Sequence, residues 1–310
     1  MAGTTRIKDL SATTSAADSD VLPVDGTNGT KGMTFGNLAT AILNKLTSKT
    51  YGLDMGTKTL PAALNEIYEG SVRNNAGGHN SIFRGKNLGT SYTSAMSTAI
   101  QNGSFDDLYV GDYLTINGTV YRVAGFNLIK NCGDNSAVGN NMCLVPDSAL
   151  YNAQMHNTDS GEYESGSVAN DTTGAYANSD MRTTNLTQAT NKIITDFGSS
   201  HVISYRDILP NATADGQASG WAWYDCKVEL MSEVMVYGTK VWGNSGYEVG
   251  CLNEQFPLFR LNPESIHRRF DYWLRSVRSA AYFAYVNSGG CAYYYNASSA
   301  LGVRPFFFVN

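Results

Sequence analysis

The reading of this chain turns on the segment from Tyr272 to Phe307, "YWLRSVRSAAYFAYVNSGGCAYYYNASSALGVRPFF". Within it, the 25 residues from Ser279 to Val303 include no Asp, Glu, Lys, Arg or His. Five of them are tyrosines (Tyr282, Tyr285, Tyr293, Tyr294 and Tyr295), and 15 of the other 20 are Ala, Ser, Gly or Asn. Tyr supplies a large amphipathic contact for the entropic cost of two torsions, while small polar neighbours adapt and hydrogen-bond. Antibody-like binding sites use the same vocabulary. A buried strand pair is the alternative. It conflicts with the triplet, because side chains alternate faces along a strand and three consecutive tyrosines cannot all point inward. At least one of Tyr293 to Tyr295 is therefore expected to face solvent. The stretch closes on Gly302-Val303-Arg304-Pro305, which reads as an anchor for an adaptable surface.

Only 16% of the 310 residues are charged, well below the roughly 25% of ordinary soluble chains. A net charge of -5 and a pI near 5.4 argue against a nucleic-acid-binding protein, which would show a basic face. No apolar run approaches the length of a membrane span, and "MAGTTRIKDLSATTSAADSD" lacks the apolar core of a secretory leader. The five cysteines, Cys132, Cys143, Cys226, Cys251 and Cys291, contain no Cys-x-x-Cys pair. They read as idle thiols of a reducing compartment, with a Cys132–Cys143 disulfide as the leading exception.

Residues 1–50 read as an attachment and oligomerisation segment. Phe35, Leu38, Ala39, Ile42, Leu43 and Leu46 follow helical spacing behind Thr34 as N-cap. A short strand from Val21 to Val24 precedes them, with a turn at Asp25-Gly26. Residues 51–87 hold a second helix, capped by Thr59 and ended by Gly70, with Leu60, Ala63, Leu64 and Ile67 on one face, and then a Gly/Asn-rich linker. Neither helix is long enough to stand alone, and a copy of the same chain is the simplest partner. The domain from 88 to 310 is expected to be α+β with long loops. A helix is expected at Ser94–Gln101 and another near Thr187–Phe197. Asn117-Gly118 between two strand-like runs signals a hairpin.

At "YWLRSVRS", "FAYVNS" and "GVRPFF" the chain resembles the variable proteins of diversity-generating retroelements, whose domain has a C-type-lectin-type fold similar to that of formylglycine-generating enzymes. Upstream stretches such as "DDLYVGDYLTINGTVYRVAGFN" and "WAWYDCKVELMSEVMVYGTKVWGNSGYEVG" resemble the lectin-type domains of phage-encoded members, and "RIKDLSATTSAADSDVLPVDG" looks like a tail-fibre segment. The resemblance implies a fixed scaffold at Trp273, Leu274, Arg275, Ser276, Phe283, Val286, Gly302, Val303, Arg304 and Pro305. It also implies a segment, about 277–302, varied by adenine-specific mutagenesis. The varied positions it implies fall among Ala280, Ala281, Tyr282, Ala284, Tyr285, Asn287, Ser288, Gly290, Cys291, Tyr293, Tyr294, Tyr295, Asn296 and Ala300, with inward packing as the other reading of Tyr294 and Ala284. Adenine mutation of an AAC codon cannot yield Lys, Glu, Gln, Met or Trp. Those types make up 37 of 310 residues and none of Ser279–Val303, although any small neutral loop would show a similar depletion.

The implied function is that of a phage receptor-binding protein in the virion, made in the bacterial cytoplasm and probing a bacterial surface protein or glycan. Its N-terminus would join other tail proteins and hold a homotrimer, with no nucleic-acid or membrane partner. A structural virion protein without a ligand, or a bacterial adhesin of the same fold, are the rivals. Planar multi-donor hydrogen bonding suits Arg275 and Arg304 to bracing backbone carbonyls beneath the surface. His79, His156, His201 and His267 lack zinc spacing, and there is no Gly-x-Ser-x-Gly elbow, phosphate loop or EF-hand. Catalysis, metals and cofactors are accordingly not expected, and fold resemblance to an oxidase does not carry activity.

Overall fold

The computed structural model describes residues 17–26, 29–53, 56–71, 75–133, 138–156 and 172–310. They fall into two compact units, Met1–Gly70 and Ser71–Asn310.

In the first unit, β1 (Val21–Gly26) pairs antiparallel with β2 (Gly29–Thr34). Strand pairing carries through Asp25-Gly26, where a turn was expected, and the connection itself lies outside the described residues. Helix α1 (Phe35–Ser48) starts where Thr34 Oγ1 accepts the Asn37 N–H at 3.2 Å, a side-chain cap for an otherwise orphaned donor. Strands β3 (Thr50–Leu53) and β4 (Gly56–Thr59) form a second hairpin that sequence reading missed. Helix α2 (Leu60–Ser71) follows, with Thr59 Oγ1 accepting from the Ala62 N–H at 3.4 Å, and it continues through Gly70. No residue of α1 is buried. Phe35, Ile42, Leu43 and Leu46 on α1, and Leu60, Leu64 and Ile67 on α2, are all exposed. Among the described residues, these large apolar side chains of both helix faces are thus left exposed in one copy of the chain, with only Ala63 of the α2 face buried.

The second unit begins earlier than the expected boundary at residue 88. The Gly/Asn-rich stretch holds α3 (Ala76–His79), whose buried His79 places Nδ1 2.6 Å from the Leu108 carbonyl. Phe83 and Asn87 bridge to Val110 and Tyr113. The physical reason is Asp112, which is fully buried and must be compensated. Its carboxylate accepts from Arg84 Nε at 3.0 Å and from the Lys86 N–H at 2.8 Å, tying the supposed linker to the domain.

Helix α4 spans Ser94–Gln101. Strands β5 (Tyr113–Ile116) and β6 (Thr119–Phe126) meet through Asn117 and Gly118, at φ +46° and +77°. Both turn residues have the positive φ that a two-residue hairpin loop requires. Strands β7 (Met142–Pro146) and β8 (Asn152–Ala153) precede a short π-helix (Met181–Asn185) and α5 (Leu186–Phe197). A long hairpin, β9 (Tyr205–Ala214) and β10 (Gln217–Cys226), then leads to β11 (Val228–Leu230). Short helices α6 (Glu233–Tyr237) and α7 (Pro257–Leu261) come before the last five strands. These are β12 (Tyr272–Val277), β13 (Tyr282–Val286), β14 (Ala292–Asn296), β15 (Leu301–Gly302) and β16 (Pro305–Val309).

The unit is mixed α and β, as its pattern of elements suggested. One five-stranded sheet runs β11-β16-β7-β6-β5 and the other β14-β13-β12-β15-β8. Every residue of β16 and β7 is buried, so the C-terminal Phe306, Phe307 and Phe308 are core. No described helix is long and apolar enough to cross a membrane.

Two of the five cysteines are not the idle thiols expected of them, and the Cys132–Cys143 bond named as the leading exception does not form. Cys143 is a buried thiol within β7, its pKa pushed up by burial. Cys132 instead joins Cys251, 119 residues away, with Cα atoms 6.1 Å apart. Strand pairing fixes Cys143 inside the sheet, opposite Phe308 and Gly125, away from any cysteine partner.

Candidate binding surface

Strand β12 is buried along its whole length, although it includes Trp273, Arg275 and Ser276. Polar groups at such depth need internal partners. Trp273 Nε1 donates to the Ala153 carbonyl at 2.9 Å, across the sheet in β8. Arg275 NH2 lies 3.8 Å from Asp207 Oδ2, both residues being buried. Burial acts to lower the Arg275 pKa, and the carboxylates of Asp207 and Glu248 outweigh it and hold it above its ordinary value.

Arg304 is the second brace. It has no exposure, donates from Nε to the Pro146 carbonyl at 2.8 Å and from NH2 to the Ser265 carbonyl at 3.0 Å, and stacks over Tyr272 at 4.9 Å. Burial pushes its pKa down. One guanidinium thus joins the end of β7 to the turn after α7 and to β12. Gly302 is required by space: a Cβ there would lie 2.6 Å from the Asp271 carbonyl oxygen and 2.8 Å from the Ala149 Cβ. Phe283 and Pro305 are buried as well.

On this base sits the β13–β14 hairpin, with Tyr285 opposite Tyr293, Ala284 opposite Tyr294 and Phe283 opposite Tyr295. Strand β14 is the edge of its sheet. Tyr293 and Tyr295 are 46% and 47% exposed, and Tyr294, on the opposite side of the pleat, is half-buried. Tyr282 is also exposed and packs against Tyr294 with ring centroids 5.4 Å apart. Exposed Ala280, Ser288, Cys291 and Ala300, with half-buried Ala281, Asn287 and Asn296, complete the accessible part of the segment. Asn287 also organises the loop, its Oδ1 accepting from the N–H groups of Gly289 and Cys291.

Three expected surface positions point inward. Ala284 is fully buried beneath the sheet. Tyr285 is buried under Tyr293 and Tyr295 and against Trp273, with centroids 5.9–6.2 Å apart. It belongs to the support of the exposed pair. Gly290 is buried at φ +85°, and a Cβ there would run into the His267 ring. That position admits only glycine without strain.

Sequence reasoning missed Trp242. Its ring meets Tyr294 and Tyr293 edge-on, with centroids 5.0 and 5.7 Å away, and its Nε1 donates to the Ala292 carbonyl at 2.9 Å. Tyr293 and Tyr294 stack within 8° of parallel, and the Arg278 guanidinium lies 5.7 Å over Tyr294. The stretch "WAWYDCKVELMSEVMVYGTKVWG" is rich in Trp and Tyr, but nothing local in it points to the C-terminal strands.

The arrangement offers ring faces, hydroxyls and backbone groups on an open edge, which suits contact with another molecule. The four histidines are scattered: His156 faces Asp180, His201 the Asn310 carbonyl, and His79 and His267 lie elsewhere. Among the described residues no group of three or more His, Cys, Asp or Glu could hold a metal ion. No protein-family model matches this chain, and neither does any curated protein or solved structure.

Proposed function

We propose that the chain is a receptor-binding protein of a phage tail fibre or baseplate tip, with a C-type-lectin-type domain that holds the β13–β14 hairpin toward a bacterial surface molecule. The observation that carries the reading is the exposure of Tyr293 and Tyr295 on an edge strand whose support, Tyr285, Trp273 and Arg275, is buried. Large rings kept in solvent cost hydration free energy, and contiguous exposed aromatics mark interaction surfaces. A stiff base also lets the surface residues change without loss of the fold, which suits diversification of the segment. The uncovered faces of α1 and α2 favour self-association of the N-terminal unit, and a trimer would turn weak contacts into avidity.

The test is adhesion of the purified protein to a panel of intact bacterial cells, comparing the native chain with Tyr293→Ala/Tyr295→Ala. Unchanged folding with lost adhesion is the expected result. Adhesion to no strain, or equal adhesion by both proteins, would leave a structural role as the better reading. A near-copy of the C-terminal coding region, differing at adenines and lying beside a reverse-transcriptase gene, is the expected genomic context of diversification.

A further inference from the structure

The surface just described has a fixed component outside the C-terminal segment. Glu233, the first residue of α6, is fully buried. Its carboxylate accepts three consecutive backbone N–H groups: Val241 at 3.0 Å, Trp242 at 3.0 and 3.1 Å, and Gly243 at 2.7 Å. Successive backbone amides converging on one side-chain acceptor form a nest, which fixes the course of the loop that supplies them. Gly243 allows the close approach, since a Cβ there would lie 2.9 Å from the Ser276 Cβ and 3.0 Å from Glu233 Oε2. At its other end the loop is closed by the Cys132–Cys251 disulfide. Midway, Trp221 Nε1 donates to the Gly246 carbonyl at 2.7 Å.

A loop held at both ends and in the middle presents Trp242 in one orientation. The indole N–H is engaged by Ala292, so the half-buried ring offers an apolar face beside the tyrosines. Strand β14 brings rings that the resemblance marks as variable, whereas the loop that carries Trp242 is pinned by the fully buried Glu233. We infer that Trp242 is a ligand-contacting residue of the β13–β14 surface, and that Glu233 is the positioning residue that holds it there. The inference rests on the binding role proposed for that surface.

The experiment measures adhesion to the bacterial strain that captures the native protein, with Trp242→Ala, Trp242→Phe and Glu233→Gln beside the Tyr293→Ala/Tyr295→Ala variant. It adds 19F spectra of protein labelled with 5-fluorotryptophan, whose four tryptophans give four signals. Trp242→Ala is expected to weaken adhesion at least tenfold, with Trp242→Phe recovering most of it. Glu233→Gln turns an amide NH2 toward at least one of the three N–H groups. It is expected to weaken adhesion several-fold and to move the Trp242 signal while leaving that of buried Trp273 in place. Should Trp242→Ala fail to fold, Trp242→Phe and Trp242→Gln carry the comparison. Native-level adhesion by a folded Trp242 variant, while the tyrosine variant loses adhesion, overturns this inference alone. Native-level adhesion by the tyrosine variant overturns the role of the surface and the inference with it. An unmoved Trp242 signal in Glu233→Gln removes Glu233 as the positioning residue.

Discussion

Replacing Gly290 by Ala separates a position free to vary from one fixed by geometry. Gly290 sits at φ +85°, and a Cβ would be driven into the His267 imidazole. The backbone conformation alone costs an L-residue about 1–2 kcal/mol. Displacing a packed ring adds roughly 1–3 kcal/mol as overpacking. The sum is about 2–5 kcal/mol, which for a unit of this size corresponds to a fall in Tm on the order of 5–10 °C. Gly289 is the internal control. It is exposed, its φ lies outside the left-handed region, and a Cβ would meet only Asn287 Oδ1, at 3.3 Å. Gly289→Ala should leave stability within about 0.5 kcal/mol of native. Adding His267→Ala to Gly290→Ala removes the collision but not the backbone strain, so a double-mutant cycle should return only part of the loss. Thermal unfolding followed by near-ultraviolet circular dichroism reads all five proteins: native, Gly290→Ala, His267→Ala, their double variant and Gly289→Ala. Equal stability of Gly290→Ala and Gly289→Ala would refute the reasoning and return position 290 to the adaptable surface.

Arg275→Met should cost about 3–5 kcal/mol in denaturant unfolding, because it strips the buried Asp207 of its counter-charge. Arg275→Met/Asp207→Asn should recover part of that, and a neutral single variant would show that Arg275 does not brace β12. Replacing both Cys132 and Cys251 by Ala removes a link across 119 residues and should lower stability by roughly 4–5 kcal/mol on loop-entropy grounds, whereas Cys143→Ala tests no link at all. Burial works to raise the Asp147 pKa, but Arg122 and Arg268 outweigh it and hold the folded value below the ordinary one. The stability this supplies is complete above the unfolded carboxyl value of about 3.9 and is lost as pH falls toward the folded value. Asp147→Asn should accordingly flatten the acid limb of the stability profile. In the N-terminal unit, Leu43→Glu/Ile67→Glu should lower the mass measured by light scattering toward that of one chain, and a native chain that is monomeric at micromolar concentration would remove the oligomerisation proposal.

Local chemistry made several elements legible before any coordinates. The spacing of Phe35 to Leu46 behind Thr34 marked α1, and Asn117-Gly118 marked the β5–β6 turn, because caps, helical periodicity and positive φ are properties of a few neighbouring residues. Alternation along a strand likewise required that the tyrosine triplet be split between two faces, and Tyr293 and Tyr295 emerge exposed with Tyr294 turned away. Polar, Gly/Asn-rich content suggested a linker ending at residue 87, yet there composition misled. The buried Asp112 that draws Arg84 and Lys86 inward lies more than 20 residues along the chain, and its burial leaves no local trace.

Composition by itself determined that Ser279–Val303 is an uncharged, ring-rich segment ending in an anchor. Only tertiary structure decided which of its residues reach solvent: register placed Ala284 beneath the sheet, ring packing covered Tyr285, and His267 closed the space at Gly290. Tertiary structure also chose Cys251 over Cys143 as the partner of Cys132 and set Trp242 beside the tyrosines from 50 residues away. Residue type and local order govern the shape a short segment can adopt. Burial, disulfide pairing and the neighbours of a ring depend on which distant segments share the same volume, and that is settled only when the whole core packs.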